Sequence, residues 1–402
     1  MIPYGRHIID DNDISEVIRV LKSDFLTTGP SIKEFEVALC KKTNAKHAIV
    51  CSSGTAALHL AALTLDLSEG DAVIVPSITF ISSANAFRFV GAEILFADVN
   101  PNTGLSEVKH YEDVLNKNYE SNVKAIVAVD LNGHSADLES IANFAKKNNL
   151  KFIVDSSHSL GSQYLDKKGI NYMSGSNIHA DLTCFSFHAV KTIAMGEGGA
   201  ITTNNKRIAK RLYALRSHGI TRSSEEFLYH DQALDNAGGV NPWYYEMHEL
   251  GFNYRATDIQ CALGVSQLKK IDDFIKIRRN LVKHYEKLLS PFQEIVEPVS
   301  LNATYLTAWH LFPVLIDFKK AGILKSDLIK ELFDQGIGTQ VHYIPIYRQP
   351  YYKKLYGNIF LPGAENYYEK VLSLPLYPSL DEDNVAEVVE KLCRIIFKEA
   401  YE

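Results

Sequence analysis

The chain has 402 residues, of which 46% are hydrophobic and 22% charged, with a formal net charge of −6. This is the composition of an ordinary globular protein, too long for one small core and suited to two domains that can build and bury a site. The acidic balance and the lack of a basic stripe argue against a nucleic-acid surface. The five cysteines, an odd number without CxxC spacing, argue against a disulfide framework or a zinc site and point to reduced thiols in the cytoplasm.

The first residues, MIPYGRHIIDDND, show no basic region followed by an apolar core, and no apolar run reaches membrane-spanning length, so neither export nor an anchor is expected. From about Ser31 to Arg216, short β-branched runs alternate with amphipathic stretches. The runs are HAIVCS, DAVIVP, EILFADV, KAIVAVD, KFIVDSS, LTCFSF and GAITT. The alternation predicts an α/β fold: a mainly parallel central sheet flanked by helices on both faces. Ligands of such sheets gather beyond the carboxyl ends of the strands. Thr221 to Glu246 is polar and aromatic without periodicity and reads as a long loop. Asp258 to Leu268 and Asp272 to Leu289 read as helices. A smaller α+β unit follows, with HLFPVLI and TQVHYIPIY as strands, Lys325 to Gln335 as a helix and Asp381 to Phe397 as a closing helix. The division falls near residue 270, giving a large domain with an N-terminal arm at 1–270 and a small C-terminal domain at 271–402.

Four features stand at strand ends. Ser52-Ser53-Gly54-Thr55 follows a strand and opens a helix, where free N–H groups and the helix dipole can hold a phosphate; alone, it reads first as an ordinary capped helix start. Phe80 can stack on an aromatic ring or belong to the core. Asp155 ends the apolar strand KFIVD, where a carboxylate needs a cation such as a protonated pyridine nitrogen, or caps a turn; His158 can orient a phenolic oxygen of the same ring or cap that turn. Lys191 lies between the strand LTCFSF, which ends at the hydroxyl of Ser186, and the turn-forming run GEGGA. A lone lysine is ordinarily a surface charge, but one packed under a cofactor loses pKa and becomes a nucleophile. Phosphate cradle, aromatic, strand-end aspartate and post-strand lysine, in that order along an α/β chain, describe a site for pyridoxal 5′-phosphate.

These residues resemble a known family: the fold-type I, pyridoxal phosphate-dependent sugar-nucleotide aminotransferases of the DegT type. The resemblance covers nearly the whole chain and rests on FLTTGPSIKEFE, SSGTAALHLA, PSITFISSANA, VDSSHSLGS, FSFHAVKTIAMGEGGAI, LGFNYRATDIQCALG and QVHYIPIY. It implies that Lys191 carries the cofactor covalently, Asp155 pairs with the pyridine nitrogen and Phe80 stacks on the ring. It implies further that Gly54, Thr55 and Ser186 hold the phosphate, and that Asn253 of the FNYR motif reaches the phosphate of a neighbouring subunit, so that a homodimer shares its sites. Tyr4, Thr27, Gln340, His342 and Tyr343 match positions lining the sugar-nucleotide side. FSFHAVK, SSHSLGS and QVHYIPIY are most similar to the members that aminate a UDP-linked 4-keto-6-deoxy-N-acetyl-hexose for pseudaminic acid, with L-glutamate as donor. Ala189 departs from the proline found in many relatives. Two other readings stand beside this one: amination of a GDP- or dTDP-linked 4-keto sugar, and a non-catalytic regulatory protein on the same fold. A dinucleotide-dependent oxidoreductase is set aside, because no GxGxxG follows the first strand.

Overall fold

The computed structural model of the protein describes residues 1–299 and 305–397. The seven runs expected as strands form one sheet: β1 His47–Cys51, β2 Ala72–Pro76, β3 Glu93–Ala97, β4 Val123–Val129, β5 Lys151–Asp155, β6 Leu182–Ser186 and β7 Gly199–Thr203. Their order is β1-β7-β6-β5-β4-β2-β3, with β7 antiparallel to both neighbours and every other pairing parallel.

Both faces of the sheet are covered, which is why the strands read as continuous apolar runs. Side chains alternate between two cores. Val73, Val75, Val127 and Ile153 join one apolar cluster, while Ile74, Ile126, Phe152 and Val154 join another beneath Phe144 of the helix Leu138–Lys147. Four of the five cysteines are buried, Cys40 is half-buried, and all are free thiols.

Beyond the sheet, the helices Asp258–Lys269 and Ile271–Leu289 follow the predicted spans, with Lys270 the single residue between them. A three-stranded antiparallel sheet of Val296–Pro298, Phe312–Ile316 and Val371–Leu374 follows, with the helices Lys325–Asp334 and Glu382–Phe397. Its core joins Leu281 and Tyr285 to Phe312, Leu332, Leu374 and Leu392. The chain's start pairs with this unit: Ile2 bridges Ile337, and Leu376 N–H donates to Tyr4 O at 3.1 Å.

The segment expected as the strand TQVHYIPIY is not one. Gln340 exchanges both backbone hydrogen bonds with Ser373, after which the chain leaves the sheet edge, and Ile346 N–H donates to Ser77 O at 2.9 Å. Pro345 has no N–H to give a ladder, and Gln340 to Ile344 all line one cavity, which the two-sided alternation of a strand forbids. The long loop is an excursion whose ends are tied: Ile220–Thr221 pairs with Glu246–Met247, and a short helix, His230–Ala233, lies within it.

Candidate active site

A cavity of about 720 Å³ lies beyond the carboxyl ends of β1, β2, β4, β5 and β6. One wall is the N-terminus of the helix Gly54–Thr64, where Ser53 caps by accepting from Ala56 N–H at 3.1 Å. First-turn N–H groups there have no helical acceptor and point toward an incoming anion. Gly54 and Thr55 line the cavity, and Ser186 faces them from the end of β6. The fit is tight. A Cβ on Gly54 would stand 2.8 Å from Ser186 Cβ, and one on Gly199 only 2.2 Å from Ser53 O. Glycine at both positions lets the cradle's backbone, Ser186 and the return strand β7 meet.

Asp155 is 4% exposed at the end of β5. Its Oδ2 accepts from Ser83 Oγ at 2.6 Å, and its Oδ1 accepts from Ser157 N at 3.1 Å and Ser157 Oγ at 2.6 Å. Because Ser83 donates to the carboxylate, Thr79 supplies the 2.7 Å hydrogen bond that Ser83 Oγ accepts. Three donors orient the carboxylate, and its unused lone pairs remain for a cation in the cavity.

The Lys191 loop is closed by backbone bonds from Phe187 N to Gly198 O and from Met195 N to Phe187 O, at 2.8 and 2.9 Å. Gly196 takes φ +75°, in the left-handed region that favours glycine. The lysine is half-buried as a residue, but its amine is enclosed by the cavity walls. Burial pulls its pKa to about 8, against the opposing charge of Asp155. A neutral, nucleophilic amine is therefore accessible near physiological pH.

Three buried imidazoles share the cavity with this amine. Burial, with Lys191's charge added, holds His158 and His310 well below the usual histidine range and His342 at about 3, so all three are neutral. His158 Nδ1 accepts from Asn132 N–H at 3.2 Å, and its Nε2 lies 3.2 Å from the Tyr343 hydroxyl. His342 Nδ1 meets Ser373 Oγ at 2.9 Å. Phe80 is 52% exposed toward the cavity, its ring 6.0 Å from that of Tyr343.

Eleven of the residues singled out in the sequence thus share one cavity: Tyr4, Gly54, Thr55, Phe80, Asp155, His158, Ser186, Lys191, Gln340, His342 and Tyr343. Two do not. Asn253 is exposed outside it, bridged to Ser217, and Thr27 is exposed and bridged to Thr257. The structure adds Ser83, Ser157 and His310. Ser157 was within reach of sequence reasoning, two residues after Asp155, but Ser83 lies 72 residues from it and His310 opens an apolar run. Among the described residues, no group of His, Cys, Asp and Glu could hold a metal ion, and no helix is long and apolar enough to cross a membrane.

This lysine, aspartate and phosphate cradle in one cavity fit the resemblance, and residues 7–393 match the DegT/DnrJ/EryC1/StrS aminotransferase family. The chain belongs to that family. As a DegT-type chain it is an aminotransferase of fold type I, with similarity end to end. It is 38% identical over 398 residues to UDP-4-amino-4,6-dideoxy-N-acetyl-β-L-altrosamine transaminase of Campylobacter jejuni subsp. jejuni serotype O:23/36, covering 99% of this chain and 98% of that protein. It is 35% identical to the spore coat polysaccharide biosynthesis protein SpsC of Bacillus subtilis, covering 98% of this chain and 97% of that one. Helicobacter pylori PseC, an aminotransferase of pseudaminic acid biosynthesis, superposes with a TM-score of 0.86 at 30% identity, over 99% of each chain.

Proposed function

We propose that this aminotransferase uses pyridoxal 5′-phosphate to convert the C4 ketone of a UDP-linked 4-keto-6-deoxy-N-acetyl-hexose to an amine, with L-glutamate as donor, as a step toward pseudaminic acid in the cytoplasm. The observation that carries the chemistry is the Lys191 amine, its pKa drawn to about 8, enclosed with Asp155 and the Gly54–Ser186 cradle in one cavity. The substrate class is supported by full-length similarity to the Campylobacter enzyme.

The residues fit the cofactor at each end. The helix N-terminus at Gly54 and Thr55, with Ser186, would take the phosphate; Asp155 would meet the ring nitrogen; Phe80 would cover a ring face. When bound, the cofactor supplies a ring that stores the electron pair released at the carbon exchanging its amine. Lys191 Nζ would hold the cofactor, and its amine is the group that could take and return the proton of that carbon. Ser83 and Ser157 keep the Asp155 carboxylate aimed, and Tyr4, Gln340, His342 and Tyr343 form the sugar side. Residues 1–270 and 271–402 act as large and small domains, bridged by the first residues.

The same reading makes the enzyme a homodimer with shared sites. Asn253, and Thr27 through its pairing with Thr257, would complete the cavity of a second copy. Exposed apolar side chains on and beside the excursion, including Leu228, Trp243, Met247 and Leu250 at 60–77% exposure, support a covered surface there. Mixing inactive Lys191→Ala and Asn253→Ala subunits tests this: activity recovered in heterodimers is the expected result, and no recovery counts against shared sites.

Substrate choice is tested by an amino-transfer assay across UDP-, GDP- and dTDP-linked 4-keto sugars, with product stereochemistry read by NMR. Preference for a GDP- or dTDP-sugar would overturn the UDP reading. A protein that binds the cofactor without converting it in the presence of glutamate would point to the regulatory alternative.

A further inference from the structure

The hydrogen bonds around His158 have a direction. Leu131–Gly133, just after β4, turns through a left-handed Asn132 at φ +63° and Gly133 at φ +98°. A side chain on Gly133 would stand 2.9 Å from Trp309 N and 3.0 Å from His310 N, so this turn is wedged under the segment that carries His310. In that position the Asn132 N–H points at His158 Nδ1 at 3.2 Å. A backbone N–H only donates, so Nδ1 must be the bare nitrogen of the ring. His158 is 5% exposed and neutral, and its one proton therefore sits on Nε2. The partner of Nε2 is the Tyr343 hydroxyl at 3.2 Å, which consequently accepts from the imidazole and keeps its own proton. No protein acceptor takes that proton among the described residues, and Tyr343 lines the cavity. Burial and the neighbouring Asp155 charge raise its pKa, so it stays protonated across the working range.

We propose that Asn132 N–H, His158 and Tyr343 form a one-way relay that makes the Tyr343 hydroxyl an obligatory hydrogen-bond donor into the active site, with His158 as its positioning residue. The group it recognises is an oxygen acceptor at the reacting centre: the ring oxygen of the cofactor or the ketone oxygen of the substrate. An acceptor-only oxygen gains from a donor already oriented, whereas a ligand presenting a donor there meets another donor. The relay rests on the reading of the cavity as an aminotransferase site, but its tautomer does not depend on which sugar is used.

Histidine-selective ¹⁵N NMR, with His158 assigned by its loss in His158→Gln, reads the tautomer directly. The expected result at pH 7 is a protonated Nε2 and an unprotonated Nδ1; a protonated Nδ1 overturns the relay whatever the protein aminates. Tyr343→Phe keeps the ring packed against Phe80 and His342 and removes only the hydroxyl. If the acceptor is the cofactor's ring oxygen, the pH midpoint of the bound cofactor's visible band rises by about one unit, because the ionised oxygen loses a donor. If it is the ketone, that midpoint stays and the half-reaction with the keto sugar slows by about tenfold or more while the glutamate half-reaction is retained. No change in the band or in either half-reaction overturns the proposal. A glutamine amide can accept from Asn132 N–H and donate to Tyr343, so His158→Gln preserves the direction and is expected to keep whichever property Tyr343→Phe loses. His158→Phe is expected to lose it, and equal behaviour of the two His158 variants would also overturn the relay.

Discussion

The Cβ that residue 54 lacks is space that Ser186 fills. Built on Gly54, it would lie 2.8 Å from Ser186 Cβ and 3.2 Å from Ser186 Oγ, with Ser186 Cα at 3.4 Å. The two residues come from the carboxyl ends of two strands with β7 between them, one opening the helix after β1 and the other closing β6. Their contact joins the proposed phosphate cradle to the lysine loop.

Gly54→Ala is therefore expected to weaken cofactor binding by about tenfold or more while leaving the fold intact, since the clash can be relieved only by moving Ser186 or the helix start. Equilibrium titration of the apoprotein with pyridoxal phosphate measures this. Adding Ser186→Gly removes the clashing atoms but also the hydroxyl, and should restore part of the loss at most.

Capture of the cofactor should follow the titration of Lys191. With its pKa pulled by burial to about 8, the reactive amine grows as pH rises through about 8, not through the ordinary lysine range. Stopped-flow capture by the apoprotein between pH 6.5 and 9.5 gives the midpoint, and Lys191→Ala should abolish the absorption change.

His134 makes a third kind of prediction. It is fully buried against Trp309, both ring nitrogens lack hydrogen-bond partners among the described residues, and burial lowers its pKa to about 3. The folded-state pKa lies below the unfolded value, so the neutral ring's contribution is full above about pH 6.5 and is lost as pH falls toward 3, by up to about 1.4 kcal/mol per pH unit. Asp130, raised by burial to about 6, opposes this between about pH 4 and 6. His134→Leu should reduce the loss of stability between pH 8 and pH 5, measured by urea unfolding at each pH.

Glu246 ties the excursion down. Its carboxylate accepts from Leu228 N at 2.8 Å, Tyr229 N at 2.9 Å and Tyr244 Oη at 2.9 Å, and meets His248 Nε2 at 2.7 Å. Although burial opposes it, the His248 contact and the two N–H bonds hold the carboxyl at about 2. Glu246→Gln keeps the size but loses the charge, and should speed limited proteolysis within residues 221–246 several-fold without shifting the global unfolding midpoint. Cleavage sites mapped by mass spectrometry distinguish this local opening from global destabilisation.

The central sheet was legible because its strands carry their own signal: β-branched runs buried on both faces, ended by polar residues where the ligand crevice opens. Lys191, Asp155, Gly54 and Ser186 could be picked out for the same reason, each standing at the end of a strand or shortly after it. TQVHYIPIY failed because its apolar alternation is local, whereas the segment's hydrogen bonds go first to Ser373 and then to Ser77 in different parts of the fold.

What the sequence determined by itself was the order of elements and the residue types at their ends, since both depend on neighbours in the chain. Only the tertiary structure decided how those residues act on one another. Ser83 reaches Asp155 across 72 residues, and Tyr343 reaches His158 across 185. The neutrality of three imidazoles and the lowered pKa of Lys191 come from burial, which no local pattern encodes. The direction of the hydrogen bonds at His158 likewise hangs on one backbone N–H delivered by a turn from another strand.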